Sequence, residues 1–214
     1  MARLIGIFGA AGFGREIAPL VRAQIAKEEP DAQVVFVEKT AGEPVNGIEV
    51  ISDADFLGAD RSRGFVVAIA EAALRRRLYD LAESSGAAPF GVRAASAEVL
   101  DAVTLGPGGI LCGHSSITSN TRVGRGFHLN IHSYVAHDCA IGDFVTFGPN
   151  VVCAGNVIVE DNAYIGAGAL VRQGTSDSPV VIGAGATVGM GAVVTRSVPP
   201  GTVVVGNPAK PIEK

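Results

Sequence analysis

From Val99 onward an apolar side chain stands at every sixth position: Val99, Leu105, Leu111, Ile117, Val123, Leu129, Val135, Ile141, Phe147, Cys153, Val159, Ile165 and Val171. After a break the beat resumes at Ile182, Val188 and Val194. The residue after a beat is often Gly or Ala, as at Gly106, Gly124, Ala136, Gly142, Gly148, Ala154, Gly166, Gly183 and Gly189. Four positions after a beat the side chain is small or β-branched, as at Ser115, Thr121, Ser133, Val145, Ala163 and Ala186. A period of six matches neither the helix nor simple strand alternation, but it suits a short strand and a turn laid on one face of a prism. Three faces then close a coil of eighteen residues, and coils stack at about 4.8 Å. The pattern predicts a parallel β-helix of about five coils over residues 91–214, one beat per face pointing to the axis. The Gly or Ala beside each beat is expected to turn the corner with positive φ. Residues 173–180, QGTSDSPV, interrupt the beat at an interval one residue short of two periods.

The first ninety residues follow another rule. Leu4–Phe8 is a short apolar run that flows into Gly9-Ala10-Ala11-Gly12-Phe13-Gly14 and then into a stretch of helical periodicity over residues 15–27, with Ile17, Leu20, Val21 and Ile25 on one face. A second strand is predicted over residues 34–37, ending at Glu38-Lys39-Thr40; a third over residues 65–69 precedes a helix over 71–84. The segment between them reads as a loop. This β-α-β-loop-β-α order is half of a doubly wound nucleotide fold, a Rossmann-like domain over residues 1–90 with a parallel sheet. Glycines after the first strand let the backbone turn sharply and approach a phosphate, while the helix N-terminus offers N–H groups and a positive dipole end. The spacing is GxxGxG instead of GxGxxG, and ninety residues leave no room for the half that completes a dinucleotide site, which disfavours a nicotinamide oxidoreductase. Glu38 stands where such folds place an acid for a ribose hydroxyl.

Composition narrows the class. The 214 residues are 48% hydrophobic and 18% charged, with 28 Gly and a net charge of −4. No basic run provides a nucleic-acid footprint; Arg75, Arg76 and Arg77 form the one cluster and read as a solvated helix face. No apolar stretch reaches the roughly 18 residues that span a bilayer, the start of the chain opens a strand instead of a signal sequence, and cytoplasm is the expected location. Three cysteines fit reduced thiols there: Cys153 is an inward beat, and Cys112 and Cys139 lack CxxC spacing, so neither disulfide nor metal site is expected.

Together the two halves resemble a known family. GAAGFGRE opening a small nucleotide-binding domain, the run Ser133-Tyr134-Val135-Ala136-His137-Asp138-Cys139-Ala140-Ile141-Gly142-Asp143-Phe144, then Cys153-Ala154-Gly155-Asn156-Val157, and a closing Val205-Gly206-Asn207-Pro208-Ala209-Lys210 are similar to the sialic acid O-acetyltransferase family of hexapeptide-repeat sugar acyltransferases. Within that family the likeness is greatest to N-acetyltransferases of nucleotide-linked 4-amino-4,6-dideoxy sugars. The resemblance implies a left-handed β-helix, a homotrimer with sites at subunit interfaces, acetyl-CoA as co-substrate without a metal, and a nucleotide-sugar held by the N-terminal domain. It also implies a place in surface polysaccharide synthesis, such as O-antigen, with GDP-perosamine favoured over a UDP- or dTDP-linked sugar.

By the same resemblance His137 is the general base that takes the proton of the attacking amine, and Asp138 orients it. Gly155 offers a backbone N–H to the developing oxyanion. Thr146 stands where a relative has a histidine near the acetyl group; Ala167, Gly189 and Met190 lie on corners that contact the pantetheine arm. Gly12, Phe13, Gly14, Glu38 and Lys39 match the nucleotide-sugar contacts, Phe13 replacing a frequent histidine. Residues 173–180 would then be either a bulge gripping CoA or a tolerated defect.

Three rival readings remain. A sialic acid or other sugar O-acetyltransferase would use the same frame. A zinc-dependent lyase similar to hexapeptide-repeat carbonic anhydrases would use histidines across an interface, since His114 and His132 lie one coil apart and His132 and His137 five residues apart. A non-catalytic scaffold is the third.

Overall fold

The computed structural model describes residues 2–212. The chain forms two compact units, Met1–Arg93 and Ala94–Lys214.

In the first unit a parallel core is laid down by β1 (Leu4–Phe8), β2 (Gln33–Glu38), β4 (Ile48–Ser52) and β5 (Arg63–Val67), with β3 (Gly42–Val45) antiparallel to β4 and β6 (Ala88–Pro89) beside β5. The order is β3-β4-β2-β1-β5-β6. All five residues of β1 are buried, as a strand covered on both faces must be. Three helices complete the unit: α1 (Gly12–Glu28), α2 (Asp53–Gly58) and α3 (Ala72–Ser84). The face that α1 buries consists of Gly14, Ile17, Ala18, Val21 and Ile25; Leu20 is only half-buried.

Two expectations are corrected here. The segment read as a loop is a β3–β4 hairpin, turned at Asn46 (φ 49°) and Gly47 (φ 73°), the pair of positive φ values that a two-residue hairpin turn needs. The three arginines are not one solvated face. Arg75 is fully buried and its guanidinium donates to the Ile69 and Ala70 carbonyls at 2.8 and 3.1 Å. Burial lowers its pKa to about 10, with the Glu71 carboxylate opposing the shift.

The second unit is the left-handed parallel β-helix, built of two- and three-residue strands. Beats pair in register one coil apart, Ile117 with Val135, Val135 with Cys153, Leu129 with Phe147, and Ile141 with Val159. Small inward residues carry hydroxyls that bond inside the coil, Ser115 to the Cys112 carbonyl, Thr121 to Ala136 and Ser133 to Gly148. The stack also continues beyond the sequence pattern. Val198 bridges Ile182, and Val204 pairs with Val188. The step from Val194 to Val198 is four residues long instead of six, with Thr195-Arg196-Ser197 between them, which hid both from a six-residue count.

Corners turn at a different place from the one expected. Positive φ falls three residues after most beats, as at His114, Asn120, His132, Asp138, Phe144, Asn150, Asn156 and Asn162, with φ between 55° and 61°. The glycines one residue after the beat have another cause. A Cβ on Gly124 would lie 2.6 Å from the Gly142 carbonyl carbon, and one on Gly106 would lie 2.5 Å from that of Gly124. They are small because the next coil's backbone leaves no room.

The glycines of the first unit separate in the same way. A Cβ on Gly14 would sit 1.8 Å from the Gly9 carbonyl oxygen, whereas one on Gly12 would meet nothing within 4 Å. Gly14→Ala is expected to destabilise the protein by about 3 kcal/mol, the upper end for overpacking, while Gly12→Ala leaves stability nearly unchanged. Thermal unfolding followed by circular dichroism distinguishes the two.

Candidate active site

Val135 anchors the coil inward, Ala136 bonds through its N–H to the Cys153 carbonyl, and His137 follows at the corner with its side chain 47% exposed. Asp138 takes the left-handed conformation, φ 58°, which an aspartate tolerates better than most residues. That turn brings its Oδ2 to 2.7 Å from His137 Nδ1. With Nδ1–H donated to the carboxylate, Nε2 is the nitrogen left to accept a proton.

One coil further, Gly155 lies under the imidazole. A Cβ there would be 2.6 Å from both Cε1 and Nε2 of His137. The Gly155–Asn156 peptide is held from two sides: its N–H donates to the His137 carbonyl and its carbonyl accepts from Gly174 N–H. The Gly155 N–H itself has no acceptor among the described residues, as an oxyanion donor requires. The structure therefore joins His137, Asp138 and Gly155 at one corner.

Beneath that corner two thiols approach each other inside the coil. Cys139 and Cys153 both lie near the Ala154 carbonyl, Sγ to oxygen 3.3 and 3.8 Å. The hydrogen bond from Cys153 pulls the Cys139 thiol down, and the same contact with full burial pushes Cys153 well up. Cys112, Cys139 and Cys153 are all buried.

Other residues singled out in the sequence lie elsewhere. Thr146 is buried on another face, between His128 and Tyr164, and is not brought to His137 within the chain. Ala167, Gly189 and Met190 occupy the corner that follows the Ile165 and Val188 beats, whereas His137 follows Val135 on a different one. Met190 is 81% exposed. His114 and His132 stack, ring centroids 5.2 Å apart and 6° from parallel, after the Leu111 and Leu129 beats, on the corner that carries Ala167 and not the one that carries His137. Among the described residues no group of three or more His, Cys, Asp or Glu is placed to hold a metal ion.

In the first unit Gly12, Phe13 and Gly14 open α1, a seventeen-residue helix whose N-cap, Ala11, supplies no side-chain cap. Its first-turn N–H groups and dipole face the carboxyl end of β1, the arrangement that receives a phosphate. Glu38 does something not foreseen: its Oε1 accepts from Ala10 N–H at 2.6 Å and so ties the glycine loop to the end of β2. Lys39 pairs with Asp53 at 3.1 Å on the surface. The sequence reading missed the turn at Ala68, Ile69 and Ala70. It faces Gly9 (φ 102°), whose Cβ would meet Ile69 at 3.3 Å, across the point where strand order reverses between β1 and β5. Ligands of open α/β sheets bind at that reversal, and this rule would have located the turn.

The chain was compared with known proteins. A family model described as the PglD N-terminal domain matches residues 4–82. A GDP-perosamine N-acetyltransferase of Escherichia coli O157:H7 is 48% identical over 214 residues, covering 99% of this chain and 97% of that protein. Of solved structures, WeeI from Acinetobacter baumannii AYE is 46% identical with a TM-score of 0.95, covering 99% of this chain and 100% of that one. PerB from Caulobacter crescentus, in complex with CoA and GDP-perosamine, is 28% identical with a TM-score of 0.85, covering 98% and 97%.

The stacking of His137 on Gly155 carries a direct consequence. Gly155→Ala should displace the imidazole by the width of a methyl group and lower turnover roughly 10²-fold, with Tm held close to that of the parent. Steady-state rates and thermal melts on the same preparation check this.

Proposed function

The chain belongs to the family of GDP-perosamine N-acetyltransferase, and from that premise we propose that it transfers the acetyl group of acetyl-CoA to the 4-amino group of a nucleotide-linked 4-amino-4,6-dideoxy sugar, GDP-perosamine foremost. The observation that carries this reading is the corner where His137, paired with Asp138 through Nδ1, lies over Gly155 with Nε2 free.

Acetyl-CoA supplies an activated acyl thioester. The amine must be neutral to attack the thioester carbon, and His137 Nε2 is the acceptor for its proton. Asp138 fixes the tautomer and stabilises the imidazolium that forms. As the carbonyl oxygen takes up charge, the Gly155 N–H donates to it. When the carbon–sulfur bond breaks, the proton on His137 is available to the departing thiolate.

The nucleotide-sugar belongs at the N-terminus of α1. Gly12 and Gly14 allow the diphosphate to approach, the uncapped first turn offers donors, and Glu38 sets the loop through Ala10 while keeping its second oxygen for the ribose. Phe13 and Lys39 border this region. Thr146, Ala167, Gly189 and Met190 are assigned to the acetyl-CoA side.

The enzyme acts as a homotrimer. In support, the residues assigned to acetyl-CoA stand on other corners and faces of the β-helix from His137, so a neighbouring chain is needed to bring the two sets together. Among the described residues no helix is long and apolar enough to cross a membrane. The role assigned to it is that of a cytoplasmic enzyme of O-antigen or related surface-polysaccharide synthesis, as the resemblance implies.

His137→Ala and His137→Asn test the base. Each should lower turnover with acetyl-CoA and GDP-perosamine by roughly 10²–10⁴ and still fold. Undiminished turnover in either variant would remove His137 from the mechanism. A thermal-shift panel of GDP-, UDP- and dTDP-linked 4-amino sugars, with and without acetyl-CoA, identifies the nucleotide by the largest stabilisation.

A further inference from the structure

Arg75 is the largest side chain that the described residues bury completely, on a helix face it shares with Tyr79 and Ala82. That face packs α3 on the sheet, where the Tyr79 and Phe65 rings meet edge to face with centroids 5.0 Å apart. An apolar side chain of similar size would serve this packing without the desolvation that a guanidinium incurs. What only the arginine adds is donors. Two of its bonds go to the Ile69 and Ala70 carbonyls, and among the described residues no other group donates to the Ile69 carbonyl.

Those bonds set which way the turn after β5 presents its peptides. In a trans peptide the N–H and C=O point in opposite directions. With the Ile69 and Ala70 carbonyls drawn inward onto a buried cation, the N–H groups of Ala70 and Glu71 face the exposed side of the turn. The Glu71 carboxylate folds forward instead, accepting from Ala73 and Leu74 N–H and closing the first turn of α3. The two helices that flank the β1–β5 reversal are therefore unequal: α3 is capped by its own side chain and α1 is not.

The turn is also tied to the glycine loop. Ala68 N–H donates to the Phe8 carbonyl at 2.9 Å, and Ile69 covers Gly9, where a Cβ would lie 3.3 Å from its Cγ1. The Gly9 carbonyl in turn leaves no room for a Cβ on Gly14, at the start of α1. Arg75, Ile69, Gly9 and Gly14 thus form an unbroken line of contacts from a buried charge to the helix start assigned to the diphosphate.

We propose that Arg75 is a positioning residue for nucleotide-sugar binding: from inside the domain it holds the turn at residues 69–71 against Gly9 and so fixes the spacing between that turn and the glycine loop. This rests on the acetyl-transfer reading, in which the nucleotide-sugar lies at α1. Arg75 acts through the turn without touching substrate, and its effect is confined to the nucleotide side.

Three variants of the intact chain test this. Arg75→Met keeps the bulk and removes the donors, Arg75→Lys keeps the charge and a donor, and Arg77→Met, exposed on the same helix, is the control. The probe is GDP, UDP or dTDP, whichever the parent binds tightest by calorimetry. Arg75→Met, melting within a few degrees of the parent, should raise both the Kd of that probe and KM for the nucleotide-sugar roughly tenfold. Its kcat and its KM for acetyl-CoA should stay within about twofold. Arg75→Lys should limit the rise to roughly threefold, and Arg77→Met should match the parent. An unchanged Kd in Arg75→Met, or equal rises in both KM values, would overturn the proposal; should that variant fail to fold, an unchanged Kd in Arg75→Lys does the same. A parent chain that binds none of the three probes would remove the underlying reading, a result seen before any variant is made.

Discussion

Each coil of the β-helix is joined to the next by parallel backbone hydrogen bonds such as Ala136 N–H to Cys153 C=O and Gly142 N–H to Val159 C=O, both 2.7–2.9 Å. That contact permits a coil spacing of only about 4.8 Å. Apolar beats must then stack on apolar beats, and any residue whose Cβ points along the stack must lose it. Gly106, Gly124 and Gly142 obey this rule against backbone, and Gly155 obeys it against a side chain. The same spacing that closes the core thus lays the His137 ring on a bare Cα, where an amide N–H is left uncovered.

The reactive corner needs little beyond this frame. Asp138 already occupies the left-handed turn that each corner requires, so pairing it with His137 adds no further backbone distortion. Clamping of the Gly155–Asn156 peptide between the His137 carbonyl and Gly174 N–H fixes the floor under the ring. Preorganisation of this kind contributes to catalysis because the donors and the base need not be ordered during the reaction. In the first unit the equivalent economy is Glu38, one carboxylate oxygen of which holds the glycine loop through Ala10.

The beat made the β-helix legible because burial in a three-faced solenoid recurs every six residues, failing only at the first coil, where Leu105 is exposed, and at the breaks, and Val135 then placed His137 off the axis. Corner chemistry was less readable. A glycine after each beat announces smallness without its cause, and the cause proved to be the neighbouring coil, with positive φ carried two residues later by Asn, Asp, His and even Phe144. Arg75 looked solvated beside Arg76 and Arg77 because charge clusters usually are. Its burial depends on carbonyls at Ile69 and Ala70, which local sequence does not reveal. An eleven-residue interval is equally one long turn or two short ones, and only strand pairing decides between them. Thr146 was assigned from resemblance alone, and a position in an alignment says nothing of which face of the prism will bury it.

The central claim is that this corner moves an acetyl group onto a sugar nitrogen. Acetyl-CoA labelled with 13C at the carbonyl, incubated with GDP-perosamine and the intact protein, tests it through NMR of the isolated product. The account predicts a single labelled amide carbonyl coupled to the proton on the 4-nitrogen, with stoichiometric release of free CoA thiol. A labelled ester on a sugar hydroxyl, or thiol release without any acetylated sugar, would contradict it.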